Sequence, residues 1–330
     1  MTRARVVLHV GAGHLGTSTL QEALDYDPDD KSIVSMMSSV LWKSDDHPNA
    51  RWLTLAPDEE FAQVASYVRD WARATKPRVL LVSDEHLSAQ VQPPERLAKI
   101  SRLLTDVGDV HVLMVLSNPV VAAPSAYLTA LLYSYWDPFD AAEVSRWHSL
   151  DHEAALIRLD ELNASTTLVV PMDYSVDFLP QYSRWLSTLS GAHIELPPVP
   201  RSHLSLTRGH ARALAAVNQR TDLHLCRCQR EAPALIARWA NSGAVTLSYA
   251  EAEEIAAVHA PKLVHLSQSM VESPLPWMLS AEEAISSAIA LGKVADGPGL
   301  AELTSNVTDE EAEAALELMR DAPHGAQCTF

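Results

Sequence analysis

Four continuous apolar runs set the rhythm of the first half of the chain: Val6-Val7-Leu8-His9-Val10, Val79-Leu80-Leu81-Val82, Val110 to Leu116, and Thr166 to Pro171. A run without alternation predicts a strand covered on both faces, as in a parallel sheet. Between the runs the period changes. Asp58 to Thr75 places Phe61, Val64, Ala65, Val68, Trp71 and Ala72 at helical spacing, and Lys76-Pro77 ends the segment. Arg96 to Leu104 and Asp137 to Leu162 predict further helices. Asp177 to Leu189 lines up Phe178, Leu179, Tyr182, Trp185, Leu186 and Leu189 on one face and stops at Gly191. Asp25 to Asn49 is polar, is broken by Pro28 and Pro48, and reads as loop with a short helix or strand inside it. Strands alternating with helices predict an α/β fold, a parallel central sheet flanked by helices.

Beyond residue 190 the strand signal stops. Leu196 to Leu206 is a proline-rich loop that runs into a helix carrying Ala211, Leu214, Val217 and Asn218, and Glu251 to Ser269 predicts a long helix. Ala281 to Ala322 is acidic and alanine-rich, with Gly297-Pro298-Gly299 in its middle, and predicts two short helices outside the core. The expected division is an α/β domain over residues 1–280 and an acidic helical extension over 281–330.

The first run leads into Gly11-Ala12-Gly13-His14-Leu15-Gly16, then Thr17 and Ser18, and then a helical pattern begun by Leu20, Ala23 and Leu24. Strand, glycine turn and helix start point backbone N–H groups and the positive end of a helix dipole at one spot, a geometry suited to phosphate. Glycine lets backbone approach an anion closely, and the two hydroxyls add neutral donors. The turn is not the P-loop of nucleotide hydrolases, which needs Lys directly before the Ser/Thr. An ordinary strand–helix turn is the alternative reading of these residues alone.

Composition narrows the function. The chain has 330 residues, 47% of them hydrophobic, and a formal net charge of −17. That field argues against nucleic acid or an anionic membrane as partner. No run of about 18 apolar residues is present, so no transmembrane helix is expected, and the N-terminal apolar run is too short for a signal peptide. The chain has three cysteines, an odd number, with Cys226 and Cys228 only two apart, which fits a reducing cytoplasm. His224, Cys226 and Cys228 offer an incomplete zinc shell and read as a turn with free thiols; no metal is expected.

The opening stretch resembles the donor loop of bacterial sulfotransferases that use PAPS (3′-phosphoadenosine 5′-phosphosulfate), through His9, Val10, Gly11, Gly16, Thr17, Ser18, Leu20 and Gln21. Other segments follow in order and register. Ser83-Asp84-Glu85 matches a strand ending in S-x-E, and Ser125 and Tyr127 match a serine and an aromatic after a later strand. Leu204-Ser205-Leu206 and Asn218 match a loop and the helix behind it. The resemblance covers about residues 5 to 280 and implies a P-loop sulfotransferase-like sheet. It also implies transfer of a sulfuryl group from PAPS to a hydroxyl of a small-molecule or carbohydrate acceptor. PAPS, or its product PAP, would then contact Gly11, Gly13, Gly16, Thr17, Ser18, Ser117 and Ser125. Arg201 and Arg208 flank the proline-rich loop and are the best local cations for it, with solvated loop charges as the alternative reading. Two departures stand out: His14 occupies the family's catalytic lysine position, and Ser117 the arginine that, with the serine, holds the 3′-phosphate. Glu85 is the expected base for the acceptor hydroxyl, His86 the reserve, and His14 the group facing the leaving phosphate. Glu85 and His86 read equally as a cap or ion pair of the following helix. The alternatives are a degenerate relative that no longer binds PAPS and acts as a binding partner, or an enzyme of different chemistry in natural-product metabolism. A homo-oligomer stays open.

Overall fold

The computed structural model describes residues 4–11, 20, 23, 34–38, 53–54, 56–83, 87, 93–133, 135–199, 206–220 and 233–320. These fall into two compact units. The first comprises residues 1–117, 148–202 and 262–275, and the second residues 118–147, 203–261 and 276–330.

The first unit is built on a parallel sheet of five strands: β1 (Ala4–Gly11), β2 (Val34–Ser38), β3 (Val79–Ser83), β4 (Gly108–Leu116) and β5 (Thr166–Pro171), in spatial order β2-β3-β1-β4-β5. Every pairing is parallel. The four apolar runs are strands: β1 and β3 are buried without a break over Val6–Gly11 and Val79–Ser83, whereas β5 lies at the edge of the sheet with only Val169 buried, so cover on both faces fails there. Strand β2, Val-Ser-Met-Met-Ser, lies inside the polar stretch read as loop with a short element.

Helix α1 (Asp58–Thr75) buries Phe61, Ala65, Val68, Trp71 and Ala72 and ends at Lys76, which takes the left-handed conformation at φ 46°. Helix α2 (Pro94–Val107) packs on β4 and β1 and buries Leu97, Ile100, Leu103 and Leu104. The region 137–162, expected as one helix, is broken into α4 (Ala141–Val144), a turn of 3₁₀-helix, and α5 (His152–Leu159). Asp140 and Asp151 each cap the element that follows, accepting from Glu143 and Ala154 N–H, and a cap marks a fresh start for the backbone. Helix α6 (Phe178–Ser190) lays Tyr182, Trp185, Leu186 and Leu189 on Val7, Leu81, Leu113 and Val115. Leu20 and Ala23, helical and buried, belong to the same cluster. Gly191 closes α6 at φ 63°. A side chain there would meet the Arg5 guanidinium, which donates to Leu189 O at 2.9 Å.

The second unit is helical. It contains α3 (Pro119–Leu132), α4, α7 (Arg208–Gln219), α8 (Pro233–Trp239), α10 (Ala281–Ala290), α11 (Leu300–Ser305) and α12 (Asp309–Arg320). Helix α9 (Tyr249–Ser269) lies in it up to Pro261. The acidic tail region forms three helices where two were expected, and they bury Ala284, Ile285, Leu300, Leu303, Ala312, Ala315 and Met319. Polar side chains stitch the unit together. Asn218 donates to Leu131 O and Tyr135 O, both at 2.8 Å. Glu251 accepts from the N–H groups of Leu300 and Ala301 at the start of α11. Tyr127, packed among Tyr135, Phe139 and Trp147, donates to Asp137 O at 2.8 Å.

Candidate functional site

Sheet topology selects one edge. The chain leaves β1 toward β2 and leaves β4 toward β5, on opposite sides of the boundary between these two neighbours. In open parallel sheets, ligands bind outside the carboxyl ends of strands at such a switch point. The last β1 residue is Gly11, buried and paired with Val115, and Ser117 follows β4 directly. The turn after β1 and the turn after β4, two segments singled out by sequence, therefore start at adjacent strand ends.

Most of the residues expected to carry chemistry, His14, Glu85 and His86, together with Gly13, Gly16, Thr17, Ser18 and Arg201, lie outside the described residues. So do His224, Cys226 and Cys228. Gly11, Ser117 and Ser125 are described. Ser125 is half-buried in α3, in the second unit. Among the described residues no cluster of His, Cys, Asp and Glu could hold a metal ion, and no helix is long and apolar enough to cross a membrane.

Ser117 is fully buried, and its surroundings were not legible in sequence. His152, the first residue of α5 and itself buried, brings Nε2 to within 3.2 Å of both the Ser117 N–H and its hydroxyl, and 3.0 Å of its carbonyl oxygen. The next residues cap a helix. Asn118 Oδ1 accepts from Val120 N–H at 3.0 Å, and its amide donates to Ala284 O at 2.8 Å. Asp151, the N-cap of α5, pairs with Lys262 at 2.6 Å, and Glu153 with His265 at 2.8 Å.

A second imidazole sits at the β1 end. His9, inside the first apolar run, is fully buried, and Nδ1 lies 2.9 Å from Ser83 Oγ at the end of β3. The ring meets Tyr182 edge-on at 5.1 Å. Burial drives its pKa down from 6.5 to about 3, because a desolvated imidazolium is costly, so the ring is neutral at physiological pH. Hydroxyls and imidazoles thus stand at the ends of β3, β1 and β4. They can donate and accept hydrogen bonds and hold neighbouring segments in place, but the serine hydroxyls bring no charge.

No protein-family model matches the chain, and no curated protein sequence is detectably similar. Among solved structures, a sulfotransferase from Alicyclobacillus acidocaldarius is 18% identical at a TM-score of 0.37, covering 68% of this chain and 98% of that one. A chain of the PezAT chromosomal toxin-antitoxin system of Streptococcus pneumoniae is 12% identical at a TM-score of 0.25, covering 52% and 70%. Likeness at this level carries no functional weight. The fold is that of an α/β protein with a parallel central sheet flanked by helices.

Proposed function

We propose that this chain is a sulfotransferase-like protein whose donor site lies at the switch point between β1 and β4. The observation that carries the reading is the adjacency of those two strands, since the residues resembling the sulfotransferase donor loop begin at the end of one and the anion-clamp segment at the end of the other. PAPS, when bound, supplies the sulfuryl group. Glu85, two residues past the end of β3, is the base that takes the acceptor hydroxyl's proton, with His86 in reserve. His14 donates to the phosphate oxygen that leaves. Gly11, Gly13, Gly16, Thr17 and Ser18 form the anion cradle, and Arg201 of the proline-rich loop is its cation. The acceptor is a hydroxyl-bearing small molecule or carbohydrate.

The fit to PAPS is uneven. Glycines after β1 suit an anion, whereas Ser117 brings no charge and its hydroxyl faces His152. That observation favours a second reading, a degenerate relative that has given up PAPS and binds a partner, or uses the cleft for other chemistry on a natural product. Calorimetry with PAP separates the two. Weak binding that weakens further with salt supports the first reading. Absence of any heat with PAP or PAPS at low salt overturns it in favour of the second.

A further inference from the structure

We propose that the turn after β4 is closed to anions, so that the chain takes an adenosine 5′-phosphate-type donor without regard to a 3′-phosphate. The donor part of this inference rests on the sulfotransferase-like reading; the closure rests on the turn's own hydrogen bonds.

A helix start binds an anion through backbone N–H groups that have no other partner. At α3 those groups are committed. His152 Nε2 lies 3.2 Å from the Ser117 nitrogen and 3.0 Å from its carbonyl oxygen, so the buried imidazole fills the space in front of the Ser117 N–H in either tautomer. Pro119, the first helical residue, has no N–H. The Val120 N–H donates to Asn118 Oδ1 at 3.0 Å, and Val121 and Ala122 N–H both donate to Asn118 O, at 3.0 and 2.9 Å. The Ser117 hydroxyl is held by the same imidazole nitrogen at 3.2 Å, and the Asn118 amide donates to Ala284 O. Ser117, Asn118 and Val120 are fully buried, and His152 nearly so.

A phosphate arriving here would have to displace a capping side chain or the imidazole, leaving a buried polar group without its partner. Such a vacancy costs as much as a new hydrogen bond returns. No guanidinium at position 117 offsets that cost, and the overall charge of −17 opposes each added negative charge. The turn after β1 differs in composition: it has three glycines and two hydroxyl residues between Gly11 and Ser18. Donor recognition on this reading is confined to the 5′ end of the nucleotide.

The test uses the full chain and has two arms. Calorimetry compares PAP with adenosine 5′-monophosphate, which lacks only the 3′-phosphate. Affinities within about threefold of each other are expected, whereas a working clamp, worth at least one charge-assisted hydrogen bond, would separate them by about tenfold or more. Preference for PAP beyond tenfold overturns the proposal. In the second arm, backbone amide resonances of Ser117, Asn118 and Val120 are followed during titration with inorganic phosphate. Silent amides support closure, and saturable shifts at these three positions overturn it. If neither nucleotide binds, the sulfotransferase reading falls and takes the donor half of the proposal with it, while the phosphate titration still decides whether the turn is closed.

Discussion

His9 Nδ1 stands 2.9 Å from Ser83 Oγ on the last rung shared by β1 and β3. The same rung continues to Leu113 of β4 on one side and to Ser38 of β2 on the other, and Tyr182 of α6 packs edge-on against the imidazole. Ser83→Ala leaves Nδ1 buried with a partner removed and should cost about 1–3 kcal/mol. Pairing it with His9→Leu removes both polar groups and should recover most of that loss, because replacing both members of a buried pair by apolar groups is nearly neutral. Denaturant unfolding of the two variants checks this; a double variant less stable than Ser83→Ala alone would count against it.

The same residue gives the protein an acid-sensitive component. In the unfolded chain His9 titrates near its ordinary 6.5, and burial lowers the folded value to about 3. Below pH 6.5 the unfolded state therefore binds a proton that the folded state refuses. Stability from the neutral buried ring is complete above that pH and is lost as pH falls toward 3, at no more than about 1.4 kcal/mol per pH unit. His9→Asn removes the titration, so its stability should decline less steeply between pH 6.5 and 4 than that of the parent chain. Parallel unfolding curves across that window would contradict the assignment.

Placing an arginine at position 117 should damage the protein. Ser117 is fully buried against His152, and a guanidinium there would be desolvated without a carboxylate in the turn to meet it. A buried unpaired charge costs several kcal/mol. Ser117→Arg should lower the melting temperature by several degrees or abolish soluble expression. A folded variant of parental stability that binds PAP more tightly would show that the turn opens more readily than its hydrogen bonds imply.

If the chain transfers sulfuryl groups, Glu85→Gln should abolish turnover with little change in melting temperature, since the amide keeps size and hydrogen bonding but loses basicity. Unchanged turnover would pass the role to His86. A fall of several degrees in melting temperature would instead mark Glu85 as a helix cap.

The sequence by itself determined the layered α/β plan. Uninterrupted runs such as Val79–Val82 have no face to offer water, so they become interior strands, and the 3.6-residue spacing from Phe61 to Ala72 fixes which face of α1 is buried. It also determined where helices stop, because Lys76-Pro77 and Gly191 act through local backbone geometry alone. Only the tertiary structure decided what lies across the strand ends. The order β2-β3-β1-β4-β5 depends on crossovers that no local pattern encodes, and it alone puts Gly11 beside Val115 and makes the β1–β4 boundary the switch point. His152 lies 35 residues from Ser117 in the chain, so no spacing rule could pair them. The hydrogen-bond partner of His9, Ser83, lies 74 residues away. A hydrogen bond is short-ranged in space but indifferent to separation along the chain, and for that reason the pairs holding these strand ends had to be read from the fold.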